Sequence, residues 1–160
     1  MAGENKQTAL EIVIDEGSQR VPIKNLAGEE IGVFYFRPTD IGIIQRYNET
    51  VSKFEEILAP LESVNINADG TADEQDTAAL EAITEAEKRL FEACDYIFGG
   101  NMSEAFFGKM HPFSPVNGVF YCETALNKVG QFISSQFEQE TEKINKRMVK
   151  YTKKYGRGRK

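Results

Sequence analysis

Ile31-Gly32-Val33-Phe34-Tyr35-Phe36-Arg37-Pro38-Thr39-Asp40 changes its periodicity half-way, and that change sets the fold class. Ile31, Val33 and Tyr35 fall on one face of an extended segment, and Phe34 and Phe36 on the other. Apolar residues on both faces mark it as the central strand of its sheet. Pro38-Thr39-Asp40 then reads as a helix start, since Thr39 or Asp40 can accept from the unpaired amides of a first turn.

Upstream of this junction the pattern stays extended. Leu10, Ile12 and Ile14 alternate with Glu11, Val13 and Asp15, and Glu16-Gly17-Ser18 is a turn signal. Val21 and Ile23 alternate with Pro22 and Lys24, and Pro22 puts this run at a sheet edge because it lacks a ladder donor. Leu26-Ala27-Gly28-Glu29 is a second turn. The expectation is a three-stranded antiparallel meander over residues 10–36, too small to stand without a cover.

Downstream the pattern is helical. Ile44, Tyr47, Val51, Phe54, Leu58 and Leu61 recur at spacings of three and four, which predicts a helix over about 40–63 that Pro60 stops or kinks. Leu80, Ile83, Leu90, Cys94 and Ile97 predict a second over about 74–98, ended by Gly99-Gly100. A short helix over 101–109, capped by Asn101 or Ser103, carries Phe106 and Phe107. Ser114-Pro115 reads as N-cap and first residue of a last helix over 115–142 that continues toward residue 154. The fold class is therefore α+β, mainly α: one globular domain over residues 1–142 and a basic helical extension over 143–160.

Length and charge bound the function. A chain of 160 residues can bury a core without disulfides or metals. Its 41% hydrophobic and 28% charged residues are ordinary globular values. No apolar run reaches the roughly 18 residues of a membrane helix, and Met1 to Lys6 lacks a leader's apolar core, so the expected location is the cytoplasm. The net charge of −6 conceals a split: from Lys143 onward nine residues are basic and none acidic, leaving ten basic against 25 acidic residues before it. A body of −15 thus carries a tail of +9, an asymmetry that points to a charged partner or to neighbouring acidic bodies.

Catalytic signatures are lacking. His111 is the single histidine and Cys94 and Cys122 the only cysteines, so a nucleophile–base set or a zinc site of soft ligands has nothing to build on. Neither Gly99-Gly100 nor Gly156-Arg157-Gly158 has the context of a phosphate loop. Glu81, Glu85, Glu87 and Glu92 read as a solvated helix face. The chain is read as a non-enzyme with no cofactor and no metal. The tail interleaves Tyr151 and Tyr155 with cations, a mixture that suits single-stranded nucleic acid, but the acidic body repels phosphate.

Taken together, the layout resembles the tail assembly chaperones of long-tailed phages and prophages of Gram-positive bacteria. The likeness lies in strands ending in Gly32-Val33-Phe34-Tyr35-Phe36-Arg37-Pro38, an amphipathic helix from Thr39 to Leu61, a second helix running through Asp95-Tyr96-Ile97-Phe98-Gly99-Gly100 into Met102-Ser103-Glu104-Ala105-Phe106-Phe107-Gly108, and a charged final helix over Asn145 to Lys160. The resemblance implies a small acidic protein that holds the tape-measure protein soluble in the host cytoplasm, with the tail-tube protein as a further partner. It also implies a frame-shifted longer form. No active-site residue can be carried over, because the family has none to match. The residues themselves point to a homo-oligomer or a helical partner, bound through Phe106, Phe107, Phe137, Ile144, Met148 and Tyr151, with Lys146, Arg147 and Lys150 supplying charge. A nucleic-acid-binding or regulatory protein using the basic tail is the alternative.

Residues Asn65 to Asp76 resemble a twelve-residue calcium loop with Gly70 at its sixth position, but Asn65 replaces the first Asp, Ala72 the branched apolar residue at the eighth, and Asp76 the bidentate Glu. Calorimetry with calcium at physiological concentration is expected to show no binding there; a micromolar site abolished by Asp69→Ala would contradict this reading.

Overall fold

The computed structural model describes residues 10–63 and 77–156, and the side-chain surroundings of 10–61 and 77–150. Strands β1 (Gln19–Lys24) and β2 (Glu30–Phe36) form an antiparallel hairpin with Val21 opposite Phe34 and a bulge at Ile23/Lys24. Helix α1 (Gly42–Leu58) follows and tightens into a 3₁₀ turn over Ala59–Ser63, where Pro60 sits. Then come α2 (Thr77–Phe98), α3 (Met102–Phe107), a two-residue-stranded hairpin of β3 (Pro115–Val116) and β4 (Val119–Phe120), and α4 (Tyr121–Gly156). The class is α+β, mainly α, with an N-terminal antiparallel strand pair ahead of the helices.

The hairpin is held by aromatic packing. Phe34 is 1% exposed, stacks on Phe36 at 3.9 Å between centroids, and meets Phe98 and Phe106 edge-on at 6.3 and 5.6 Å. Edge-on and offset rings at these distances add to the burial of their area. Leu90, Cys94 and Ile97 of α2 and Ala125, Val129 and Ile133 of α4 complete the core. Its last partly buried member along α4 is Phe137.

The free edge of β2 is closed by a side chain. Tyr35 donates its amide to Asn101 Oδ1 at 2.8 Å, and Asn101 Nδ2 donates to the Val33 carbonyl at 2.9 Å. One amide side chain thus pairs with the strand as a neighbouring strand would. Helix α3 lies so close that a Cβ at Gly32 would overlap the Ala105 carbonyl, which is why this strand position is glycine. Because Asn101 is committed to β2, the first turn of α3 is capped from α2: Ser103 donates its amide and hydroxyl to Asp95 at 2.8 and 2.6 Å. Gly99 ends α2 in the left-handed conformation, as its sequence position implies. Asp40, just ahead of α1, accepts from the Gly42 amide at 2.9 Å, and with the Arg46 guanidinium also beside it, its carboxyl is held below the ordinary carboxylate range.

Three expectations need correction. Residues 10–15 form no strand: Asp15 and Glu16 accept from the amides of Gly17 and Ser18, and this local bonding turns the chain toward Arg37 and Thr39 rather than back along β1. The last helix starts at Tyr121, not Pro115, because Val116-Asn117-Gly118-Val119 makes a two-residue hairpin. Asn117 and Gly118 both have positive φ, 55° and 84°, which this turn requires and Asn-Gly supplies. Finally, the buried face of α1 is centred on Ile43, Thr50 and Ile57, one residue round from the expected stripe, leaving Ile44, Tyr47 and Val51 half exposed. The 65–76 loop lies outside the described residues.

Asn101→Ala removes both hydrogen bonds on the outer side of β2 and is expected to destabilise the fold by about 1–3 kcal/mol, read from urea midpoints at constant slope. An unchanged midpoint would show that the clamp contributes nothing.

Candidate functional site

Two surfaces present apolar side chains to solvent in an organised way. The first is the distal half of α4. The helix has 36 residues, and from Glu138 to Lys150 every residue is exposed. At roughly 1.5 Å per residue, the stretch from 138 to 156 extends about 28 Å past Phe137. Ile144 and Met148 are each 58% exposed and Val149 54%, alongside exposed Lys146, Arg147 and Lys150. Glu140 pairs with Lys143 at the boundary between the acidic and basic parts of the helix.

The second is a groove of about 590 Å³ between the hairpin and α4. Val21 and Ile23 of β1 form one wall, Ala125, Val129 and Phe132 of α4 the other, and Phe34 the floor. Among its lining residues Lys24 and Lys128 are the charged ones, and both are exposed, so the mouth is positive on an acidic body.

The structure divides the expected site residues. Ile144, Met148, Lys146, Arg147 and Lys150 stand together on the exposed part of α4, and Tyr151 continues that helix at its backbone. Phe137 is partly buried against the core and marks where the body's cover ends. Phe106 and Phe107 correct the expectation: they are 8% and 7% exposed and serve as core. Phe106 meets Phe34, and Phe107 stacks on Phe91 at 5.6 Å and meets Tyr121 edge-on. A six-residue helix has little free face when it must also cover a sheet edge, so paired aromatics on it are drawn inward. Sequence reasoning missed Val149, the groove, and the half-exposed Ile44, Tyr47 and Val51. The groove could not be found by periodicity, because it joins β1 to a helix about a hundred residues later.

The residues with chemical potential are used structurally. His111 Nδ1 accepts from the Phe113 amide at 3.1 Å and Nε2 faces Glu87, which ties the loop after α3 to α2. Cys94 and Cys122 are buried, and burial pushes their thiols up to about 12 and about 11, away from the thiolate a nucleophile needs. Among the described residues no cluster of three metal-ligating side chains occurs, and no helix is long and apolar enough to cross a membrane. No protein-family model, no curated protein and no solved structure matches the chain.

At pH 8 alkylation of Cys94 and Cys122 by iodoacetamide is expected to be slower than in the urea-unfolded chain by about a hundredfold or more, since both burial and the raised thiol pKa oppose it. Labelling of the native protein at the unfolded rate would place a thiol at the surface.

Proposed function

We propose that the chain is a non-enzymatic assembly chaperone of the phage-tail kind, which holds a helical segment of a tape-measure protein against the distal half of α4, with the tail-tube protein as a further partner and the cytoplasm as the place of action. One observation carries the reading: a helix that leaves the body at Phe137 keeps apolar Ile144, Met148 and Val149 on an exposed, positively charged surface. Apolar anchors on an uncovered helix suit helix-against-helix docking, where one buried Ile is worth roughly 1.5–3 kcal/mol. The net negative body keeps a protein with such a surface soluble. The same helix half supports a second reading, binding of single-stranded nucleic acid by Lys146, Arg147 and Lys150, against which the −15 of residues 1–142 works electrostatically.

Substituting Ile144→Asp together with Val149→Asp leaves the body's core untouched. It is expected to weaken binding of a synthetic tape-measure helix by about tenfold or more, with the circular-dichroism melt of the body unchanged. Removing residues 139–160 should leave a folded body that no longer binds. Equal binding by both variants and the intact chain would overturn the proposal. Binding of a labelled single-stranded oligonucleotide that falls steeply with salt, without binding of the helix, would replace it with the nucleic-acid reading.

A further inference from the structure

The N-terminal arm and the β1 edge complement one another. Leu10, Ile12, Val13 and Ile14 are 99%, 94%, 89% and 78% exposed, an uncovered run with the alternation of a half-buried strand. The edge that such a strand could join is open. Because Val33 and Tyr35 turn their backbone groups toward Asn101, the β2 residues that bond β1 are Gly32, Phe34 and Phe36, opposite Ile23, Val21 and Gln19. The backbone groups of Arg20, Pro22 and Lys24 therefore point outward, and among the described residues no strand pairs with them. Pro22 offers a carbonyl there but no amide, so pairing on this edge depends on side chains for much of its stability.

We propose that residues 10–15 of one copy add as a strand to the β1 edge of a second copy, seating Leu10, Ile12 and Ile14 at the groove between hairpin and α4. Side chains on β1 sort by face: Val21 and Ile23 are half-buried toward the groove, while Arg20, Pro22 and Lys24 are exposed. The arm sorts the same way, with Leu10, Ile12 and Ile14 on one face and Glu11, Val13 and Asp15 on the other. Setting Val13 beside Pro22 places Ile12 and Ile14 beside Ile23 and Val21, and Glu11 and Asp15 beside Lys24 and Arg20. In the parallel direction the partners exchange and the match survives. Opposite charges and matched aliphatic residues on facing positions both favour the pairing. The groove mouth adds Lys128 to the positive side. Burying a run of apolar arm residues with strand bonds is the β-addition mode of recognition.

A second copy, rather than the same chain, is the occupant. Asp15 and Glu16 fix the turn through Gly17 and Ser18, the Arg37 charge attracts Glu16, and Gly17 lies against Thr39. These contacts direct the arm past the end of β2, away from its own β1 edge. Two copies can exchange arms reciprocally, giving a closed dimer without any new element.

The test uses the full chain. Val13→Cys and Pro22→Cys are made as separate variants, mixed, and equilibrated in a glutathione redox buffer; buried Cys94 and Cys122 do not compete. The expected product is a covalent dimer whose bridging peptide joins positions 13 and 22. Ile12→Asp is expected to weaken self-association by about tenfold or more in sedimentation, with the melt of the body unchanged, because Ile12 is 94% exposed in the isolated copy. A 13–22 bridge that forms only within one chain, in the doubly substituted protein, would overturn the proposal in favour of self-pairing. No bridge in either format would overturn it outright. Neither readout involves the distal half of α4, so failure here leaves the chaperone reading standing.

Discussion

The outer edge of β2 is the constraint on which the rest of the body is arranged. A two-stranded hairpin has no independent stability, and a strand carrying both Phe34 and Phe36 on one face needs that face covered and its outer edge satisfied. Asn101 meets the second need by pairing with Val33 and Tyr35. It can do so because α2 ends at Phe98 and the chain crosses immediately to α3 at Met102. The same crossing brings Phe98 and Phe106 to Phe34 from two directions and forces glycine at position 32. Face and edge are thus closed by one passage of chain from Phe98 to Phe106, which leaves β1, among the described residues, as the side of the hairpin still open.

What could be read from the sequence follows from range. The helices were legible because a stripe at spacings of three and four is written within each segment, and each long helix occurs where its stripe lies. Which way a helix turns its stripe is a tertiary matter, and α1 shows the limit: Ile43 is buried while Ile44, the expected anchor, is half exposed. The small hairpin was legible in principle, since Asn117-Gly118 between two valines is a strong two-residue turn signal, yet Ser114-Pro115 offers a competing helix start. Leu10–Ile14 has strand periodicity without a strand, because periodicity states what a segment could bury and not whether a surface is there to bury it. Phe106 and Phe107 illustrate the converse. Their burial depends on partners far away in the sequence: Phe106 meets Phe34 of β2, and Phe107 meets Phe91 of α2 and Tyr121 of α4.

The division of α4 into a buried and an exposed half also has an electrostatic logic. Charges attract across roughly a Debye length, about 10 Å at 0.1 M salt. The distal end of α4 stands about 28 Å beyond Phe137 at the helical rise, so the acidic body exerts only a screened pull on it. Lys143, Lys146, Arg147 and Lys150 stand exposed on the helix instead of lying against the acidic body. A stiff helix keeps the two fields apart and leaves the positive one available to whatever approaches within a Debye length. The arm obeys the opposite rule. In the arm exchange we propose, Glu11 and Asp15 act only at contact with Arg20 and Lys24, and the apolar residues between them set the register of that contact. Long-range charge on α4 can therefore recruit without specifying, while short-range charge on the arm specifies without recruiting, and the two surfaces can work on one molecule without competing for the same partner.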